Sequence, residues 1–176
     1  VRLGLEAIGV VVSAATIDEV IGSYLRLLDE EVSRVDDSEY RVHAGMHEAI
    51  AAGHANGCAV GLGTGNVQRG AITKLKRVGL HDRFDFGGFG DDHELRPELI
   101  RRGAERGAAK LGLTLEAVRV VVIGDTPKDI DAARAIGAEC VAVATGDHSL
   151  EALEQAGATR AFVDLTAPGA LESLLG

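Results

Sequence analysis

Basic charge is in short supply: 18 Lys and Arg stand against 27 Asp and Glu, a net charge of −9. Nucleic-acid backbones and anionic membranes are bound by neutralising phosphates with Lys and Arg, so this surface repels both. An anionic small molecule would have to be met by a local set of donors. Cysteine is equally scarce. The two present, Cys58 and Cys140, each fall in an apolar run that reads as a strand. They are expected to be small buried hydrophobes rather than a disulfide framework, which points to a reducing, cytoplasmic compartment. Long hydrophobic runs are missing: the stretch from Ile8 to Ile17 is too short to span a bilayer. Glu6, with no clear basic segment ahead of that stretch, argues against a signal peptide. No internal repeat or low-complexity tract occurs.

What remains is the composition of a folded domain, 46% hydrophobic and 26% charged over 176 residues, enough for one core and a modest appendage. Val1 to Ile8 already has helical spacing closed by Gly9 as a C′ residue, so the sequence reads as starting in mid-structure. Thr16 with Glu19 predicts a capping box, and Ile17, Val20, Ile21, Tyr24, Leu25 and Leu28 predict an amphipathic helix ending near Arg34. Arg34 to Tyr40 is polar and turn-like, the candidate boundary between residues 1–40 and residues 41–176.

From Gly45 onward helical segments alternate with short apolar runs: Cys58–Leu62, Phe84–Phe86, Val118–Ile123, Cys140–Val143 and Ala161–Val163. Such alternation predicts an α/β fold with a parallel sheet covered by helices on both faces. Val118–Ile123, nearly all Val and Ile, is expected at the sheet centre. Gly79, Gly112 and Gly137 are placed as C′ residues, and Pro97 and Pro127 suit the first turns of helices.

Ligands of open α/β sheets bind beyond the carboxyl ends of the strands, and the segments of interest fall there. Gly61-Leu62-Gly63-Thr64-Gly65-Asn66 leads from a strand into a helix whose amino end could receive a phosphate at Thr64, Gly65 and Asn66. The structural alternative is that Asn66 only caps that helix. The glycines run G-x-G-x-G, so a dinucleotide fingerprint fails on spacing. Arg96 precedes Pro97 at a helix start, where a cation opposes the dipole unless an anion lies nearby; the alternative is an Arg extended into solvent. Val121-Val122-Ile123-Gly124-Asp125-Thr126-Pro127-Lys128-Asp129 ends a buried strand on a carboxylate. Asp125 there suits a hard cation such as Mg²⁺, with Asp129 in support, although Thr126 to Asp129 is also a capping pattern. His43 and His47 are spaced i, i+4 but lack the H-E-x-x-H context, and read as surface or core residues.

The order T-G-N, R-P, G-D-T-P-K-D resembles the second, third and fourth motifs of the haloacid dehalogenase superfamily, over residues 41–176. The likeness is to its phosphatase branch with a helical cap, including phosphoglycolate-phosphatase-like hydrolases, and residues 1–40 look like the rear part of that cap. The resemblance implies a Rossmann-like core and a phosphoric monoester hydrolase acting on a small phosphorylated metabolite, as monomer or homodimer. It implies that Thr64 binds the transferring phosphoryl group, Arg96 replaces the usual Lys, Asp125 binds Mg²⁺ and Asp129 assists at the metal. It also implies an Asp nucleophile in a D-x-D motif ahead of the cap. No such motif in strand context precedes Thr64, and Asp36-Asp37 follows a polar turn. The expectation is therefore that the nucleophile lies upstream of Val1 and that residues 1–176 alone are inactive. Two other readings stay open: a non-catalytic relative that binds phosphate or a protein partner, and a metal-independent haloacid dehalogenase.

Overall fold

The computed structural model describes the backbone of residues 1–176 and the side chains of all but Leu3 and Asp37. The part played by Leu3 in the first helix, and the Asp37 carboxylate, therefore lie outside the described residues. Two helices open the chain, α1 (Arg2–Ala7) and α2 (Ala14–Arg34). There follow α3 (Met46–Ala55), β1 (Gly61–Gly63), α4 (Gln68–Arg77), β2 (Phe86–Gly88) and α5 (Arg96–Lys110). The remainder is β3 (Val121–Gly124), α6 (Pro127–Ala135), β4 (Glu139–Val143), α7 (Leu150–Gln155), β5 (Arg160–Phe162) and α8 (Ala170–Leu175).

The α/β alternation and the parallel pairing are as the sequence predicts, but the strands form two sheets. β1 pairs with β2, and β3, β4 and β5 pair in that order, all parallel. β4 is the central strand of its sheet, with Cys140 to Val143 buried. Its side chains alternate across the sheet. Cys140 and Ala142 join a core with Leu99 and Ile100 of α5, Ile130 of α6 and Leu153 of α7. Val143 joins a second with Ala49 of α3 and Leu165, against which Leu171 and Leu174 of α8 pack. Helices therefore cover both faces.

Val118–Ile123 is not the central strand. Val118 closes a 3₁₀ turn over Leu115–Ala117, and pairing starts only where Val121 meets Glu139. β3 then forms one side of the three-stranded sheet, and Ile123 is 38% exposed. Among the described residues, β1 and β3 each have an edge with no strand beside it. The first strand also begins later than its apolar run suggests. Cys58 N–H bonds back to Gly53 O (2.9 Å) in the exit of α3, so Cys58 is exposed rather than buried. Cys140 is buried as expected, and burial pushes its thiol up to about 11.

α2 starts three positions earlier than the Thr16 box implies: Ser13 is the N-cap, accepting from Thr16 N–H (3.1 Å). It ends at Arg34 as read. Gly9, Gly79, Gly112 and Gly137 all take positive φ at helix ends, the region open to glycine,. α5 lies close on β1 and β2 and also against α6, so it spans both sheets. Its approach depends on small residues, since a Cβ on Gly88 would overlap the Leu99 carbonyl and one on Gly103 would sit 3.0 Å from Gly88 N.

Candidate active site

The carboxyl end of β1 continues into Thr64, whose N–H donates to Gly88 O (3.0 Å) and so keeps the chain alongside β2. The Thr64 hydroxyl oxygen accepts from Asn66 N–H (3.1 Å), a turn that Ser and Thr side chains commonly make,. Asn66 O in turn accepts from Gly90 N–H (2.8 Å), tying the T-G-N loop to the segment after β2. Asn66 does not cap the helix. α4 starts at Gln68, and Gln68 N–H is met by the carboxylate of Asp91, a residue 23 positions away. The helix end is therefore already answered by an anion, and the donor left facing outward is the preceding loop. Gly65 N–H has no acceptor among the described residues.

Arg96 is the first residue of α5, one position earlier than read, with Pro97 second. It does not extend into solvent. Its Nε donates to Asp129 Oδ1 (2.7 Å), and Nη2 reaches the same oxygen (2.5 Å). The third nitrogen, Nη1, lies 4.0 Å from where a Gly65 Cβ would stand. Asp129 is 3% exposed, and its other oxygen accepts from Thr126 N–H (3.2 Å) and Thr126 O–H (2.8 Å). Thr126 accepts in return from Asp129 N–H, completing a capping box on α6. The anion that answers Arg96 is thus Asp129, and the capping reading of Asp129 is realised as well.

Asp125 follows β3 and is half-buried, its side chain with no hydrogen-bond or ion-pair partner among the described residues. The loop after β4 presses on it, since a Cβ on Gly146 would overlap Asp125 Oδ2. Thr64, Arg96 and Asp125 therefore all sit where strands give way to helices. Arg96 ties the start of α5 to α6 and stands close to Gly65.

The loop that delivers Arg96 is held by residues the sequence reading passed over. Arg106 donates to both oxygens of Asp92 (2.8 and 2.6 Å) and to Gly87 O (2.6 Å), while Asp92 also accepts from Phe89 N–H (2.9 Å). The Arg106 hydrogen bonds hold the Asp92 carboxyl below the usual carboxylate range against the opposing effect of burial. Nothing local in the sequence names Gln68 or Arg106 as the partners of Asp91 and Asp92. Tyr24 of α2 has the spacing of the apolar stripe, yet its hydroxyl donates to Asn66 Oδ1 (3.0 Å).

Residues 3–143 match the haloacid dehalogenase-like hydrolase family. The chain belongs to that family. The T-G-N, R-P and G-D-T-P-K-D segments all lie within the matched span. Over 159 residues the chain is 28% identical to a phosphorylated carbohydrates phosphatase of Thermotoga maritima, covering 87% of this chain and 70% of that protein. A solved Thermotoga maritima structure assigned provisionally as a β-phosphoglucomutase is similar at a TM-score of 0.57 and 24% identity, over 97% of this chain and 72% of the other. A haloacid dehalogenase-like protein of Agrobacterium tumefaciens matches at a TM-score of 0.61 and 21% identity, over 98% of this chain and 75% of the other. At these identities the two structures share the fold with the family member described here. No helix among the described residues is long and apolar enough to cross a membrane.

Proposed function

We propose that this family member is a Mg²⁺-dependent phosphatase of small phosphorylated metabolites, working through an aspartyl-phosphate. What supports the reading is that the Thr64 hydroxyl and the Asp125 carboxylate each follow a strand, that Gly65 N–H lacks an acceptor among the described residues, and that Asp129 holds the Arg96 guanidinium close to Gly65. The Thr64 hydroxyl has its acceptor side taken by Asn66 N–H, so its proton is free to be donated to a phosphoryl oxygen. Gly65 N–H adds a second donor. Arg96 adds positive charge, fixed by Asp129, where negative charge grows in the transition state,. Such preset donors cost no reorganisation when the substrate reacts.

Asp125 fits a magnesium ion: it is a hard oxygen donor at a strand end with no side-chain partner among the described residues, and Mg²⁺ is commonly held by one or two carboxylates with water and phosphate oxygens,. Asp129 fits a direct ligand less well, because both its oxygens are engaged; its proposed part is to hold Arg96 and support Asp125 from behind. Bound there, the ion would offset charge on the phosphoryl oxygens.

In the proposed reaction a carboxylate oxygen attacks phosphorus, and the P–O bond to the leaving group breaks as the second Asp of the upstream D-x-D motif gives its proton to the leaving oxygen, taking one back from the water in the next step. Water then attacks phosphorus, releasing phosphate and restoring the carboxylate. The nucleophilic Asp is proposed to lie in chain ahead of Val1, on a strand seated between the open edges of β1 and β3. Residues 1–176 alone would then be inactive. On the same reading residues 1–40 belong to a helical cap and 41–176 to the core, in a cytoplasmic monomer or homodimer. The substrate class is proposed as phosphorylated carbohydrates, from the name of the 28% identical relative.

The test is Asp125→Asn in the intact protein, assayed on sugar phosphates with and without Mg²⁺. Loss of the metal-dependent turnover is expected, and unchanged turnover overturns the assignment. Inorganic phosphate binding without any turnover in the unsubstituted protein would turn the reading toward a non-catalytic binder.

A further inference from the structure

We propose that Tyr24 is a positioning residue for the Thr64 hydroxyl, acting through Asn66; the inference rests on the phosphatase reading above. Tyr24 is half-buried in α2, and its hydroxyl donates to Asn66 Oδ1 at 3.0 Å, across 42 positions of sequence. Asn66 joins that contact to the crevice through its own backbone. Its N–H holds Thr64 Oγ1 at 3.1 Å and its C=O takes Gly90 N–H at 2.8 Å. A single residue thus receives the α2 hydroxyl on its side chain and sets the acceptor side of the Thr64 hydroxyl with its amide. With that side filled, the Thr64 proton is left to point away from the loop.

The packing around the contact leaves room for it. Gly70, buried one turn into α4, faces both partners: a Cβ there would stand 2.9 Å from Asn66 Oδ1 and 3.1 Å from Tyr24 Cε1. Any larger residue would push Tyr24 and Asn66 apart. One turn further along α2, Asp29 meets Arg69 (3.0 Å) and Thr73 (3.2 Å), which holds the two helices together without touching Asn66. Docking of α2 and alignment of Asn66 are therefore carried by different side chains and are separable by substitution.

The consequence is that α2 acts on phosphate affinity without contacting phosphate. When α2 is seated, Tyr24 orders Asn66 and the Thr64 proton is presented. When that hydroxyl is removed, the Thr64–Asn66 turn loses its outer restraint, and the donor is misdirected for part of the time.

The experiment uses the intact protein and inorganic phosphate as the probe, with sugar-phosphate turnover as the second readout. Tyr24→Phe keeps the ring and removes one neutral hydrogen bond, so phosphate affinity and kcat/KM should each fall roughly three- to tenfold. Asp29→Asn keeps an amide oxygen that can accept from Arg69 or Thr73 and so keeps α2 seated, and it should leave phosphate affinity unchanged. In a Thr64→Val background, Tyr24→Phe should have no further effect, because the group it positions is gone. Unaltered phosphate affinity in Tyr24→Phe, or an equal loss in Asp29→Asn, overturns the inference and leaves the phosphatase reading standing. Failure of the unsubstituted protein both to bind phosphate and to hydrolyse sugar phosphates takes down both.

Discussion

Arg96 and Asp129 stand 33 positions apart and open different helices, yet they meet at 2.7 Å. α5, which carries Arg96, packs on β1 and β2, while α6, which carries Asp129, packs on β3 and β4. This pair therefore helps join two sheets that share no strand-to-strand hydrogen bond among the described residues. It also removes the conflict of a cation at a helix start, because the carboxylate offsets the repulsion by the dipole.

Arg96→Ala would leave Asp129 buried with one oxygen unpaired. Removing one partner of a fully buried ion pair costs about 3–5 kcal/mol, and the 34% exposure of the Arg96 side chain brings the expected loss below that range. Urea unfolding should show the loss as a lower midpoint. Arg96→Lys should recover only part, since an ammonium cannot reproduce the planar fork. A midpoint equal to that of the unsubstituted protein would contradict the bridging role.

Asp92 supplies a pH test. The Arg106 hydrogen bonds depress its folded pKa below the ordinary carboxylate value of about 4,. A depressed carboxyl contributes stability that is present above the unfolded pKa and disappears as pH falls through the folded one. The gap in unfolding midpoint between the unsubstituted protein and Asp92→Asn should thus be full near neutrality and shrink below about pH 4. A gap that is constant down to acid pH would show that the Asp92 charge contributes nothing.

Gly88 and Gly146 should fail in different ways when changed to Ala. The new methyl at Gly88 meets the Leu99 carbonyl, which is helix backbone and cannot turn aside. Overpacking of that kind costs roughly 1–3 kcal/mol, visible as reduced thermal stability. At Gly146 the methyl meets the carboxylate of Asp125, which can rotate away. That variant should keep its melting temperature and lose Mg²⁺ affinity, measured by calorimetry on the intact protein. The reverse pattern would refute the assigned neighbours.

The composition, the 3.6-residue stripe of α2, the βα alternation and the glycine-ended helices were legible in sequence because each depends on residues near one another in the chain. So were the motif positions, since Thr64, Arg96 and Asp125 follow strands or open helices by local pattern alone. Strand limits were less legible: an apolar run such as Val118–Ile123 signals burial, but pairing begins only where a neighbour lies alongside.

What only the tertiary structure decided is which groups are free and which are engaged. Asp125 and Asp129 belong to one short motif, yet packing leaves the first without a partner among the described residues and gives the second Arg96 and Thr126. Asp91 caps a helix 23 positions earlier, and Tyr24 reaches Asn66 across 42. Local periodicity fixes which face of an element is apolar; it does not fix what that face or its polar neighbours will meet. Those partners are set by the way distant helices close over the two sheets, and the chemistry open to each carboxylate and hydroxyl follows from them.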